Sequence, residues 1–345
     1  MKLNDFDYLS ELPGEEREQN WIRMRLGTLS VREGIVLTAA AQAAPPEDAV
    51  QAINQLQALD EYTVCLDVGS YEELGERYLR LETLMPDDAF PFIDLRNIGE
   101  KYEAQHPGLF IDHCYVQYPA APPEPVYQSG MALPTDDSWS VKLKIASPAV
   151  PDGVWLRLPQ LDLYCDWSSI EEVMAVRVLR VQSWDECTLL DAKSILPEAG
   201  DLLAQYSGSV GNLIHDGAVL GHILARKDQG PPCFMERYTA AMQLENCQSL
   251  KQALDIAQNL KCYDWEQSAG LKASGMALLL DWGVPEELIR DGGIDLAHYK
   301  AHLLEQDGYT PTADGLGYIR RNANKFHYEF STPAQPQEEP GMAMQ

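Results

Sequence analysis

Thr38-Ala-Ala-Ala-Gln42 returns 201 positions later as Thr239-Ala-Ala-Met-Gln243. The register holds without a gap through Gln51/Gln252, Ala52/Ala253, Ile53/Leu254, Gln57/Gln258, Leu59/Leu260 and Tyr62/Tyr263. Nine identities in 25 positions at one offset indicate a duplication. A spacing this long means duplicated domains, because solenoid repeats run roughly 20–50 residues. Further on, Ile93-Asp94-Leu95 matches Ile294-Asp295-Leu296 and Gln105 matches Gln306, after which the register slips. Cys114-Tyr-Val116 then falls on Gly317-Tyr-Ile319.

Both copies read as the same series of elements. Asp48 or Ser249 caps a helix whose apolar residues fall at Val50, Ile53 and Leu56, or at Leu250, Leu254 and Ala257. Tyr62–Leu66 has strand character, and a second helix starts near Ser70 with Leu74, Tyr78 and Leu81 on one side. Ile93-Asp94-Leu95 leads into a third helix through Ile98 and Tyr102, closed by Pro107-Gly108. A terminal strand follows, His113–Val116 in one copy and Gly317–Arg320 in the other. Between the copies, Ser140–Ile145 and Val154–Leu158 alternate as strands do, and Ala175–Val181 reads as another. The expected fold class is therefore α+β: two related α/β modules, 1–118 and 206–330, flanking a small β-rich middle domain, 139–205. A Pro-rich linker spans 119–138, and the tail 331–345 has the composition of a disordered segment.

Charge sets the function classes. The 345 residues carry 53 Asp and Glu against 26 Lys and Arg, a net −27. That field repels nucleic acid and anionic membranes and attracts basic protein surfaces. The expected partner is thus a basic protein surface, with no direct nucleic-acid binding, no membrane and a homodimer left open. The excess is spread out: −5 in 1–60, −8 in 61–120, −7 in 121–261 and −7 beyond. Seven cysteines without a CxxC pair argue against a disulfide framework and a zinc site. With acids where a signal peptide would be apolar, and no apolar run of about 18 residues, the expected location is cytoplasmic.

Catalytic patterns are sparse. The chain has no P-loop, GxGxxG, GxSxG or HExxH. Ser207-Gly-Ser-Val-Gly211 resembles a phosphate cradle but has no basic residue after it, so a turn is the expectation. His298 and His302 have an i, i+4 spacing suited to a metal, yet their counterparts are Asn97 and Lys101. His113-Cys114 reads as a strand beside a buried thiol. No catalytic residue, metal or cofactor is assigned. An enzyme would instead need polar residues with shifted pKa values gathered in a cleft.

What remains is carboxylates on helices. Glu72, Glu73 and Glu76 lie on one helix, with Asp67 before it and Asp87, Asp88 and Asp94 after it. Glu286, Glu287, Asp291 and Asp295 continue the series in the second copy. Two exposed acids per helical turn give one charge per about 2.7 Å, against one per roughly 1.7 Å in B-DNA. Two such helices side by side approach duplex charge density.

These stretches resemble the ArdA antirestriction proteins of mobile genetic elements. The resemblance rests on Ser249–Asp264, Ile294-Asp-Leu-Ala-His-Tyr299, and Asp307-Gly-Tyr through Gly317–Arg320. In copy one it rests on Asn54–Tyr62, Gly69–Gly75 and Phe92–Leu95. It covers about 160 residues in two blocks. The resemblance implies an acidic mimic of bent duplex DNA that occupies the DNA groove of a type I restriction–modification enzyme, with the acids above as its contact set. This chain departs from that family in its length, its two copies and its middle β region, which leaves room for another basic target such as a CRISPR effector. The alternative is a non-catalytic accessory protein that binds through an apolar patch around Trp155 and Trp167.

Overall fold

Ser30 starts the most deeply buried helix of the chain. Its Oγ accepts from the Glu33 amide while the Glu33 carboxylate accepts from the Ser30 amide, so two orphan donors of the first turn are satisfied reciprocally. The computed structural model describes residues 3–83, 85–136, 138–159, 163–165, 168–291 and 293–332. It forms two compact units, Met1–Asp191 and Ala192–Gln345.

In the first unit a 3-10 stretch, Leu3–Glu11, leads into α1 (Glu16–Leu26), α2 (Val31–Ala43) and α3 (Ala49–Gln57). Strand β1 (Thr63–Leu66) is followed by α4 (Tyr71–Glu82), a 3-10 turn at Asp87–Phe92, and α5 (Leu95–Gln105). Strands β2 (Gly108–Ile111) and β3 (Cys114–Gln117) complete an antiparallel sheet of order β1-β3-β2, in which Val116 pairs with both Val64 and Leu109. Next come β4 (Val141–Ser147), β5 (Val150–Leu158), the short β6 (Leu163–Cys165) and β7 (Ser168–Ser169), and α6 (Ile170–Leu179). Strand β8 (Thr188–Ser194) joins β4 and β5 in the order β5-β4-β8, and the division between units falls within it. Helix α2 is buried from Arg32 to Leu37 and again at Ala39 and Ala40, as a helix apolar on most sides must be. Ile22, Ile53, Leu56, Val64, Val116 and Met174 belong to the same core. Each such side chain contributes about 1.5–3 kcal/mol on leaving water.

The second unit contains α7 (Pro197–Ala204), α8 (Val210–Ala225), α9 (Phe234–Leu244) and α10 (Leu250–Gln258). Then follow β9 (Tyr263–Gln267), α11 (Leu271–Asp281), α12 (Glu286–Asp291), α13 (Leu296–Gln306), β10 (Thr310–Pro311) and β11 (Gly317–Arg321). Its antiparallel sheet has the order β10-β11-β9.

The element order from α3 to β3 recurs from α10 to β11. Helix α10 starts 201 residues after α3, and α13 starts 201 after α5. Asp48 and Ser249 cap the first pair through Gln51 N and Gln252 N, while Asp94 and Asp295 cap the second. One further parallel lies outside these elements. Asn54 Oδ1 accepts from the amides of Val126 and Tyr127, and Asp255 Oδ1 accepts from those of Glu329 and Phe330. In both units, therefore, this helix fastens the segment that trails the last strand. Asp255 also takes the amide and hydroxyl of Ser331.

Several expectations need correction. Ala175–Val181 lies largely in helix α6, not a strand. Its β-branched run suggested extended chain, but Ser169 caps the helix through Glu172 N, and Ile170, Met174, Ala175 and Leu179 recur at helical spacing. Of the expected middle region 139–205, residues 139–191 fall in the first unit and 192–205 in the second. Arg157 and Lys142 of the β4–β5 hairpin tie it into the first unit by ion pairs with Glu33 and Asp136. Beyond Pro125 the Pro-rich segment is held down by Asn54, by Trp21 Nε1 on Pro134 O and by Gln57 on Thr135 O. Trp155 is buried with its Nε1 on Gly27 O, so it offers no surface patch. Trp167 and the tail from 333 lie outside the described residues.

Candidate partner-binding surface

Helices α4 and α5 pair closely because two glycines let their backbones touch. A Cβ on Gly75 would run into Leu95 O, and one on Gly99 into Tyr71 O. In the second unit Gly275 faces Leu296 O in the same way. Helix α4 carries Glu72, Glu73 and Glu76, Asp87 and Asp88 lie in the 3-10 turn that follows it, and Asp94 caps α5.

Local cations meet many of them. Glu76 and Asp87 bracket Arg80 at 2.8 and 2.7 Å. Glu72 lies 3.6 Å from Arg96, which is also 2.9 Å from Glu100. Asp67 pairs with Arg177 at 2.8 Å, and Glu286 with Arg290 at 2.5 Å. Glu73 caps α4 by accepting from Gly69 N at 2.6 Å, while Asp94 and Asp295 are N-caps. Among the described residues, the carboxylates of Asp88, Glu287 and Asp291 make no hydrogen bond or ion pair, and all three are exposed. The acids of α4, α5 and the turn between them are partly neutralised by Arg80 and Arg96; those of α12 and α13 belong to the second unit.

Large apolar side chains accompany these acids. Phe92 is 89% exposed and Leu81 66%, next to Asp87 and Asp88. In the second unit Trp282 is 62% and Leu288 58% exposed, next to Glu286 and Glu287. Leu81 and Trp282 stand 201 residues apart, at matching positions.

A second polar cluster went unforeseen and is largely buried, with Asp60 at its exposed edge. Arg157 meets Glu33 at 3.2 Å, Glu171 at 3.0 Å and Asp60 at 2.8 Å. Arg25 pairs with Glu33 and, at 3.3 Å, with Asp136, which Lys142 reaches at 3.1 Å. Arg32 adds a contact to Asp60 at 3.2 Å. Four cations thus face four carboxylates. Burial alone would raise the pKa of Glu33, but Arg25, Arg157 and Lys142 outweigh it and hold the carboxyl far below the usual range. For Glu171 burial prevails, with Arg157 offsetting it only in part, and the pKa rises. Burial lowers the pKa of Lys142. Shifted groups do gather here, but they face one another rather than a cleft. One signal was legible: Ser30-Val-Arg-Glu33 is a capping-box spacing. The partners, from Arg25 to Glu171, are too far apart in sequence for any motif.

Cys114 is buried and burial pushes its thiol up to about 11, so it behaves as a core residue. Ser207–Ser209 is a short loop, bent at Gly208, that leads into α8, which Ser209 caps and to which Val210 and Gly211 already belong. Among the described residues no set of three His, Cys, Asp or Glu could hold a metal ion, and no helix is long and apolar enough to cross a membrane. Comparison of the chain with known protein families, with curated proteins and with solved structures finds no match.

Proposed function

We propose that this chain is a non-catalytic acidic decoy for the DNA-binding surface of a defence nuclease, foremost a type I restriction–modification enzyme. One observation carries the reading. Residues 1–191 hold 33 Asp and Glu against 14 Lys and Arg, a net −19, and four of those 14 cations are buried in the ion cluster. The cluster is neutral by formal charge, so the whole excess remains with the other groups of that unit. The α4–α5 acids and their arginine neighbours then form the contact set, with Asp88 the most available charge.

The test is DNA cleavage by a purified type I enzyme at rising salt. Inhibition should be strong at 50 mM and fall steeply by about 200 mM, as ionic contacts demand. Replacing Glu72, Glu73 and Glu76 by Gln should weaken inhibition without unfolding the protein. Absence of both binding and inhibition at low salt would rule out this target, and a CRISPR effector is the next to assay.

The exposed Leu81, Phe92, Trp282 and Leu288 favour a second reading, an accessory protein that docks by apolar contact. Its binding would persist at high salt and be lost in Phe92→Ser and Trp282→Ser.

A further inference from the structure

The first unit contains a cavity of about 150 Å³ at the start of α2, between β5 and α6. Leu29, Ile35, Val154 and Met174 wall it, all of them buried. Its mouth lies at Val178 and Arg177, which are exposed. A pocket of this size with mostly apolar walls has room for a benzene-sized molecule.

Ser30 is the buried polar residue of the lining, which also includes the exposed Asp112 and Arg177, and its hydrogen bonding specifies the ligand further. A serine hydroxyl has one proton and two lone pairs. The proton goes to Glu171 Oε1 at 2.9 Å, and one lone pair accepts from Glu33 N at 3.2 Å. One lone pair is left. This surplus site is an acceptor, so a ligand must bring the donor. Charge narrows the class again: the net −19 of the unit disfavours an anion, and Arg177 at the mouth is already paired with Asp67.

We propose that this cavity is a binding site for a small neutral hydrogen-bond donor of phenol size, seated among the apolar walls with its donor on Ser30 Oγ. Among the described residues, β4, β5 and α6 have no counterpart in the element order of the second unit. The site therefore belongs to the first unit, and it meets the acid series above at Arg177, the partner of Asp67.

Titration calorimetry with phenol and with toluene tests this, because the two match in shape and only phenol donates. Phenol should bind saturably in the millimolar range and at least threefold more tightly than toluene. A Val178→Trp variant, which fills the mouth from an exposed position, should lose that binding while keeping its circular dichroism and Tm. If that variant does not fold, Met174→Phe fills the cavity from the wall and should give the same loss. Equal or tighter binding of toluene overturns the donor assignment. Undiminished phenol binding in the filled variant, or no saturable heat from phenol, overturns the site.

Discussion

Arg157 is the residue on which the first unit turns, because its guanidinium meets Glu33, Asp60 and Glu171 at once. Removing one partner of a buried ion cluster costs about 3–5 kcal/mol, since the charges left behind are uncompensated. Arg157→Met should therefore lower unfolding free energy by about that amount in urea titration. An effect under ~1 kcal/mol would show that the cluster relaxes freely. Acid should act in two opposite steps. Glu171 has a raised folded pKa, so stability rises as pH falls through that value toward its unfolded pKa. Glu33 and Asp136 have lowered folded pKa values, so their contribution is complete above their unfolded values and is lost as pH falls toward the folded ones. The unit should be most stable somewhat below neutrality and weaken below about pH 4. Glu171→Gln should abolish the rise and leave the acid loss, as read from urea midpoints between pH 8 and 3. Little of this was legible in the sequence. The Ser30–Glu33 capping box is a local pattern, whereas Arg157 reaches Glu33 only through the tertiary fold.

Elements with a local cause were the most readable. The caps at Asp48 and Ser249 stand where side-chain chemistry and apolar spacing placed them, and the helix expected near Ser70 starts on that residue; Asp94 and Asp295, read as partner-binding acids, are N-caps instead. Strand β2 was missed because Gly108–Ile111 is short and stands next to a turn that Asp112 and His113 make at positive φ, without glycine. Helix α6 was misread because β-branched residues fit strands, and only burial against α2 and β5 decides the matter. The α4–α5 contact rests on close backbone approach at glycines as well as on the Tyr78–Tyr102 ring contact. Gly75→Val should drive a side chain into Leu95 O and destabilise the protein by about 1–3 kcal/mol. Gly270→Ala is the control: a Cβ there meets nothing within 4 Å and its φ is −87°, so Tm should barely move. Thermal unfolding of the two variants separates close packing from a general intolerance of substitution at glycine.

Across the whole molecule, charge was readable in amount and not in arrangement. Net −27 follows from counting, but its division into −19 and −8 requires the unit boundary at Asp191/Ala192. Individual acids were also less free than their spacing suggested, because Arg80, Arg96, Arg177 and Arg290 each hold one or two of them. That distribution predicts unequal roles for the units. Neutralising four acids of the first, Glu72, Glu76, Asp87 and Asp88, should weaken a salt-dependent complex more than neutralising Glu286, Glu287, Asp291 and Asp295. The slope of log affinity against log salt should flatten with the first set and change less with the second. Equal effects would mean that the partner reads total charge alone.

The fastening of the trailing segments by Asn54 and Asp255 has a mechanical consequence. A pull applied at Thr332 travels back along the chain and reaches Ser331, Phe330 and Glu329 before it reaches β11. The load therefore falls first on the hydrogen bonds that converge on one carboxylate, and β11 starts to part from β9 only after that anchor yields. Asp255 can in principle be discharged by acid, although those same bonds keep its pKa low despite burial. Asn54 carries no charge to lose. The anchor in the first unit should hold at any pH, while the one in the second should slip under smaller forces once the solution becomes strongly acidic.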